Sequence, residues 1–256
     1  NKIDDENTSY STNVGLKYSV NYNLDLTLSL GYSFRSPSLE ERFQYIDQGS
    51  YVRLGNPNLN SELGRSVDLG LRYYSGNVKI ISSLFFNYFS DLVVEKPGTF
   101  EGRAAYIKTN VGEARLYGFD LSADYNVYSD YVVYAAASYV KGDDVSTGGN
   151  LPQIAPLNGN LGVRFDLFNQ LNADFSSTLF AAQKDVAAGE LTTPGYATFN
   201  ITLGTKSFYL SSMNLKVYAG VENLLDKNYR NHLSTTRGSL TIEPGRNFFV
   251  KLMAGI

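Results

Sequence analysis

Between residues 42 and 53 the chain sets Arg42, Phe43, Tyr45, Tyr51 and Arg53. Two guanidinium groups interleaved with aromatic rings suit an anionic, partly aromatic chelate, held by forked hydrogen bonds and cation–π contacts. Arg103, Lys184, Tyr229, Arg230 and Arg237 offer further cationic or aromatic contacts. Catalytic chemistry has fewer reagents. The single histidine, His232, stands two residues before Ser234 and close to Asp226. A hydrolase needs a serine, a histidine and a third group that orients the ring, and a polar loop histidine is the simpler reading. With no cysteine and only Met213 and Met253, far apart, no soft-ligand zinc or copper set can be assembled. No catalytic residue and no resident cofactor or metal is expected.

The elements that must carry these residues are strands. Val14, Leu16, Tyr18, Val20 and Tyr22 alternate with polar neighbours, and Leu24, Leu26, Leu28, Leu30, Tyr32 and Phe34 do the same. A period of two places one set on each face of an extended chain. The pattern returns at Val67 to Tyr73, Tyr117 to Val127, Tyr131 to Tyr139, Leu161 to Leu167, Leu171 to Ala181, Ala197 to Leu203, Leu215 to Val221 and Phe248 to Ile256. Val78 to Val94 is apolar on both faces, so its outward side stays open. In all, 11 strands are expected. Many run to about ten residues, the length that crosses a bilayer as a tilted barrel strand, whereas globular strands usually have about five or six. The second face carries Asp25, Asp68, Arg72, Asp120, Asp124, Arg164, Asp166 and Asp174 at mid-strand positions. Such groups are costly in a dry core and suit a wet or plugged lumen.

Composition agrees. There are 20 Tyr and 15 Phe, 18% of residues are charged, and the formal net charge is −3, which gives no basic face for nucleic acid. No stretch reaches the roughly 20 apolar residues of a membrane-spanning helix, and the acidic start (Asp4, Asp5, Glu6) does not read as a signal peptide. Connections alternate between short (Asn23, Ser75 to Asn77, Ser129-Asp130, Asn169-Gln170, Phe208 to Asn214) and long (Ser38 to Arg65, Lys96 to Tyr106, Gly142 to Asn158, Asp185 to Tyr196, Asp226 to Asn247). Short periplasmic turns and long extracellular loops are the pattern of outer-membrane barrels. In that setting the Arg42–Arg53 stretch has two readings of equal standing, a ligand site or an aromatic girdle in contact with lipopolysaccharide.

Specific motifs then narrow the class. Phe34 to Phe43 resembles the "FRAPSLEERF" element of TonB-dependent receptors. Gly55 to Leu59, followed by Ser61-Glu62, resembles their "GNPNLKPE" element. Asn110-Val111-Gly112-Glu113-Ala114 with Gly118-Phe119-Asp120 is similar to their "N-G-x-A…G-x-E" strand, Glu222 to Tyr229 to "ENLFDKxY", and Pro244 to Phe249 to "PGRNF". The motifs come in the family's order and cover nearly the whole chain. Most of them read as shapers of strand ends, since proline cannot donate a ladder hydrogen bond.

The resemblance implies an all-β, antiparallel transmembrane β-barrel. Residues 1–256 would supply about 11 strands of a 22-stranded barrel, the C-terminal part of the barrel domain, with the plug domain absent from this chain. Eleven strands alone would leave two unpaired edges in lipid, so a second half of the barrel is expected from the same or another polypeptide. The implied function is energised import of a scarce nutrient across the outer membrane of a Gram-negative bacterium. A ferric siderophore or other iron complex is the expected substrate. The expected partners are the lipid bilayer, lipopolysaccharide and, through the missing plug, TonB. A passive pore, or a barrel whose loops dock a protein partner, is the alternative. Haem importers of the family often carry a histidine between the first two motifs. Here Ser38 to Gly55 has none, though Tyr45 and Tyr51 are possible phenolate ligands. Members usually end in an aromatic residue, whereas this chain ends Ala254-Gly255-Ile256.

Overall fold

The computed structural model describes residues 10–128, 130–167, 170–210, 212–235 and 242–255. Arg237, the turn residues Ser129 and Asn169 and the terminal Ile256 lie outside them. Among these described residues fifteen strands form one sheet: β1 (Thr12–Asn21), β2 (Leu24–Arg35), β3 (Tyr45–Asp47), β4 (Tyr51–Leu54), β5 (Glu62–Ser75), β6 (Val78–Phe100), β7 (Arg103–Tyr128), β8 (Tyr131–Asp144), β9 (Gly149–Asn150), β10 (Asn158–Leu167), β11 (Leu171–Phe180), β12 (Tyr196–Thr205), β13 (Phe208–Leu210), β14 (Met213–Glu222) and β15 (Asn247–Gly255). Two short helices, α1 (Leu39–Phe43) and α2 (His232–Thr235), lie in the long connections. Neither is long or apolar enough to cross a membrane.

The eleven long strands are the eleven expected from the alternation. Each pairs antiparallel with the next in an up-and-down meander, from β1 through β2, β5, β6, β7, β8, β10, β11, β12 and β14 to β15. Register puts the apolar sets side by side. Leu28 faces Leu16 and Leu69, Leu69 faces Leu84, and Leu84 faces Phe119. Leu16, Leu69 and Leu84 are each more than half exposed, as they must be on a face that meets hydrocarbon. The Val78–Val94 ambiguity is resolved here: Ile80, Ser82, Leu84 and Phe86 share the outer face with Leu69 and Val67, while Ile81, Ser83 and Phe85 face inward with Asp68 and Arg72.

On the inner face charges of adjacent strands meet: Lys17 lies 2.8 Å from Asp25 and Arg164 3.1 Å from Asp174. Lys206, just past β12, reaches Asp166 of β10 at 2.6 Å. Because the apolar and charged faces belong to opposite sides of a single sheet, little is buried between elements. An apolar cluster of the described residues sits high in the sheet, around Val111, Ala114 and Leu151.

One expectation needs correction. Lys96 to Tyr106 is not a loop, because β6 and β7 continue as a hairpin to a two-residue turn at Glu101-Gly102. Both turn residues have positive φ, 49° and 77°, the conformation that matches the twist of paired strands. Pro97 and Gly98 lie within β6. Beyond Ser90, however, β6 no longer pairs with β5, and a proline on such an edge need cost the ladder nothing. The extension from Ser90 to Phe100 rises roughly 33 Å past the top of β5 at about 3.3 Å per residue. Within it the facing pattern shifts. Phe89 and Leu92 pack in the same apolar cluster, although residues of opposite parity leave a regular strand on opposite faces. Asp91, between them, has φ 60°.

Candidate functional site

The motif residues prove to be anchors of the long connections. Arg35, at the end of β2, forks onto two carboxylates. Its Nε and Nη2 donate to Glu62 (2.5 and 2.6 Å), and its Nη1 and Nη2 donate to Glu41 (2.8 and 3.1 Å). Glu62 also accepts the Val93 N–H of β6 at 2.6 Å, and Glu41 completes a capping box with Ser38 that starts α1. Arginine suits this place because its planar fork fits two carboxylates at once. Gly55 lies against α1: a Cβ there would meet the Arg42 carbonyl carbon at 2.6 Å. Asn110 accepts the Asn60 N–H (2.8 Å) and donates to the Asn60 and Asp91 carbonyls, pinning the connection to the tall hairpin.

These anchors hold the β3–β4 hairpin against the tall one. β4 pairs with β7 in parallel, Tyr51 to Leu54 against Ala104 to Ile107, the single parallel contact among the described strands. Arg103 closes the top, donating to Asp47 at 2.6 and 2.9 Å and to the Gly49 carbonyl. That guanidinium, helped by the Gly49 N–H, holds the Asp47 carboxyl down at about 2.

Between this hairpin pair and the connections 145–157 and 181–195 lies a cavity of about 990 Å³. Its volume is at the large end of small-molecule sites. A smaller hollow of about 380 Å³ on the inner wall of β6 to β11 lies away from the loops. Tyr51, Tyr106, Pro97, Val94, Leu151 and Leu191 give the larger cavity its apolar and aromatic wall. Its charged groups are Arg53, Lys96, Glu95, Asp144 and Glu190. Glu190 bonds the connections together: it accepts the N–H groups of Gln153 (2.9 Å) and Ala187 (3.1 Å), and His232 Nε2 lies 3.2 Å away.

Of the five residues singled out from the sequence, Tyr51 and Arg53 line this cavity. Tyr51 meets Tyr106 edge-on at 5.3 Å, and Arg53 is 3.1 Å from Glu95. Arg42 and Phe43 stay on α1, and Tyr45 turns toward Phe100, ring to ring at 6.2 Å. Among the other candidates, Arg103 is committed to Asp47, Tyr229 packs on Tyr196 at 4.4 Å, Arg230 is half-buried and Lys184 is exposed. His232 is buried at 2% exposure with its Nδ1 3.2 Å from Thr193 Oγ1, so its ring nitrogens face Thr193 and Glu190. Asp226 meanwhile accepts the Arg246 N–H. Sequence reading missed Glu95, Lys96, Tyr106 and Asp144, which reach the cavity only because the β6–β7 hairpin and β8 extend beyond the span.

Comparison with known proteins decides the family. The pattern described as "TonB dependent receptor-like, beta-barrel" matches residues 1–224. The chain belongs to that family. Among curated proteins, this TonB-dependent receptor segment is 26% identical to heme/hemopexin utilization protein C of Haemophilus influenzae (strain 86-028NP), over 91% of this chain and 35% of that protein. Among solved structures, copper transporter OprC superposes with a TM-score of 0.80 at 23% identity, over 96% of this chain and 39% of that one. A mutant of the ferric enterobactin receptor PfeA from Pseudomonas aeruginosa gives 0.72 at 19%, over 95% and 40%. The chain therefore spans little more than a third of these proteins. Their names are those of a utilization protein, a transporter and a receptor, not of enzymes.

Proposed function

We propose that residues 1–256 are the C-terminal part of the barrel of an outer-membrane TonB-dependent transporter that imports a scarce nutrient, an iron complex such as a ferric siderophore. The observation that carries this reading is the cavity of about 990 Å³ walled by Tyr51, Tyr106 and Arg53 among the long connections, with the membrane face below it. A drug-sized or larger chelate buries most of its surface in such a cleft. Tyr51 and Arg53 contact the ligand, and Arg42, Phe43 and Tyr45 serve as outer contacts on the approach. The barrel meets lipid on one face and lipopolysaccharide at its loops, while TonB acts through a plug outside this chain. The names of related proteins (heme/hemopexin, copper, ferric enterobactin) span several cargoes. The aromatic wall and the absence of any cluster of three metal-ligating His, Cys, Asp or Glu among the described residues favour a chelate over a bare ion.

The test is accumulation of radiolabelled iron complexes by cells with and without the gene, each with and without TonB. Uptake that needs both supports the reading. Uptake that needs the gene and persists without TonB supports a passive pore instead.

A further inference from the structure

Cations of the long strands mostly stand on the charged face: Arg72 is opposite Asp25, Lys79 opposite Asp124 and Arg164 opposite Asp174. Three stand on the other face, in register with the exposed apolar set. Arg65 of β5 and Arg115 of β7 are both opposite Tyr88 of β6, and Lys141 of β8 is opposite Tyr117 of β7. Among the described residues of the eleven long strands, below the tall hairpin, no other Arg or Lys shares that face.

All three lie at one end of it, toward the long connections. One row reads Tyr32, Arg65, Tyr88 and Arg115 across β2, β5, β6 and β7. The next row toward the short turns reads Leu30, Val67, Phe86, Tyr117 and Lys141. Tyrosine mixed with arginine and lysine marks the depth at which hydrocarbon gives way to headgroups.

The charges in these rows are only partly answered. Arg65 is exposed and makes no ion pair with a described residue. Arg115 gives its Nε to Asp143 at 2.7 Å, which leaves both terminal amino groups outside that bond, and its guanidinium stands 6.0 Å from the Tyr117 ring. Lys141 Nζ lies 3.9 Å from Asp185, a carboxylate 67% exposed on a connection. Glu113, on the same face, lies beside the Tyr88 hydroxyl. Strands lie about 4.8 Å apart, so Arg65 and Arg115 stand roughly 10 Å apart at the backbone, with Tyr88 between them. Side chains as long as arginine's close that gap from both sides and fork onto one phosphate. A lipid whose phosphate sits there lays its acyl chains on Val67, Leu69, Leu84 and Phe86, all of them exposed.

We propose that the wall formed by β5 to β8 carries a specific site for a phosphorylated, acylated lipid of the outer leaflet, the lipid A anchor of lipopolysaccharide, held by Arg65 and Arg115 with Lys141 beside them. The inference rests on the reading that puts the apolar face in lipid, and it places lipopolysaccharide on the barrel wall as well as at the loops.

The experiment titrates the delipidated full-length receptor, in detergent, with lipid A, dephosphorylated lipid A, phosphatidylglycerol and glucosamine phosphate. Native mass spectrometry reads the bound fraction. Lipid A should bind at least about tenfold more tightly than its dephosphorylated form, the contribution of a single charge-assisted hydrogen bond. Arg65→Gln and Arg115→Gln should each weaken lipid A binding by about tenfold or more, and Arg65→Lys, which keeps the charge, by less. Arg72→Gln, on the same strand as Arg65 but the opposite face, should change it by less than about twofold. Equal binding of dephosphorylated lipid A overturns the proposal, because hydrocarbon contact then suffices. So does equal binding of phosphatidylglycerol, which makes any anionic lipid sufficient, or of glucosamine phosphate, which makes the site one for the free anion. Lipid A binding unchanged in both glutamine variants overturns it, as does a loss at Arg72→Gln as large as at Arg65→Gln, each variant having passed heat-modifiable migration as the assembly check. If lipid A does not bind and iron uptake still needs TonB, this inference falls and the transporter reading stands. Lipid A binding as expected, with uptake independent of TonB, supports the lipid site and overturns the transporter reading.

Discussion

Replacing Asn223 tests whether a single buried amide holds the last long connection in place. Its Oδ1 accepts the Lys227 N–H at 2.8 Å, and its Nδ2 donates to the carbonyls of Lys227 at 2.9 Å and Pro244 at 3.5 Å. The side chain thus ties the exit of β14 to the approach of β15. Asn223 is 4% exposed and has φ 50°. Asn223→Ala removes two good hydrogen bonds and one long one, about 2 kcal/mol together at about 1 kcal/mol each. It also places alanine in the left-handed region, a further cost of about 1 kcal/mol. The sum of about 3 kcal/mol corresponds to roughly a hundredfold rise in local opening. Asn223→Gly loses the bonds and tolerates the backbone, so its rise is about thirtyfold. Residue-resolved hydrogen exchange at the Lys227 amide of the full-length receptor reads both. A rise below about threefold in the alanine variant, or a larger rise in the glycine variant than in the alanine one, would refute the reasoning.

Three further outcomes are expected. If the apolar face meets lipid as proposed, Leu84→Arg should lower barrel stability in denaturant by about 2–4 kcal/mol and Ser83→Arg by less than about 1 kcal/mol, since Leu84 lies on the exposed apolar face and Ser83 faces Asp120 on the other. Equal losses would mean that the β6 register is wrong. The Asp47 carboxyl, held at about 2 against an ordinary 3.8, contributes its clip to Arg103 fully above pH 3.8 and loses it as pH falls through about 2. A carboxyl-carbon NMR titration should therefore show a midpoint near 2 in the wild type and a higher one in Arg103→Ala, shifted toward the ordinary value with the Gly49 N–H still holding it down, and a wild-type midpoint near 4 would remove the clip. Glu190→Ala should raise hydrogen exchange together in the connections 145–157 and 181–195 and around His232, by roughly thirtyfold for about 2 kcal/mol of lost bonds. A rise confined to 181–195 would show that Glu190 does not bind the three together.

The sequence determined by itself what its period could encode. Alternation in segments of ten or so residues, with apolar side chains on one face and charges on the other, specifies strands that separate lipid from water, and all eleven were legible. Motif order then specified the family. The expectation that the motifs shape strand ends also agrees with the structure, where Arg35, Glu62, Asn110 and Asn223 tie connections to strand tops.

Tertiary structure alone decided everything that depends on pairing between segments distant in the chain. Val78 to Val94 is apolar on both faces, so only the register against Asp68 and Leu69 could assign its outer side. Lys96 to Tyr106 read as a loop, because local signals cannot report that a partner strand keeps the hairpin extended. The cavity likewise joins Arg53, Glu95 with Lys96, Asp144 and Glu190 from four different segments. Arg53 looked from sequence like a free cation for an anion. Its charge is answered by Glu95, some forty residues along the chain, and a charge's availability is set by its neighbours in space.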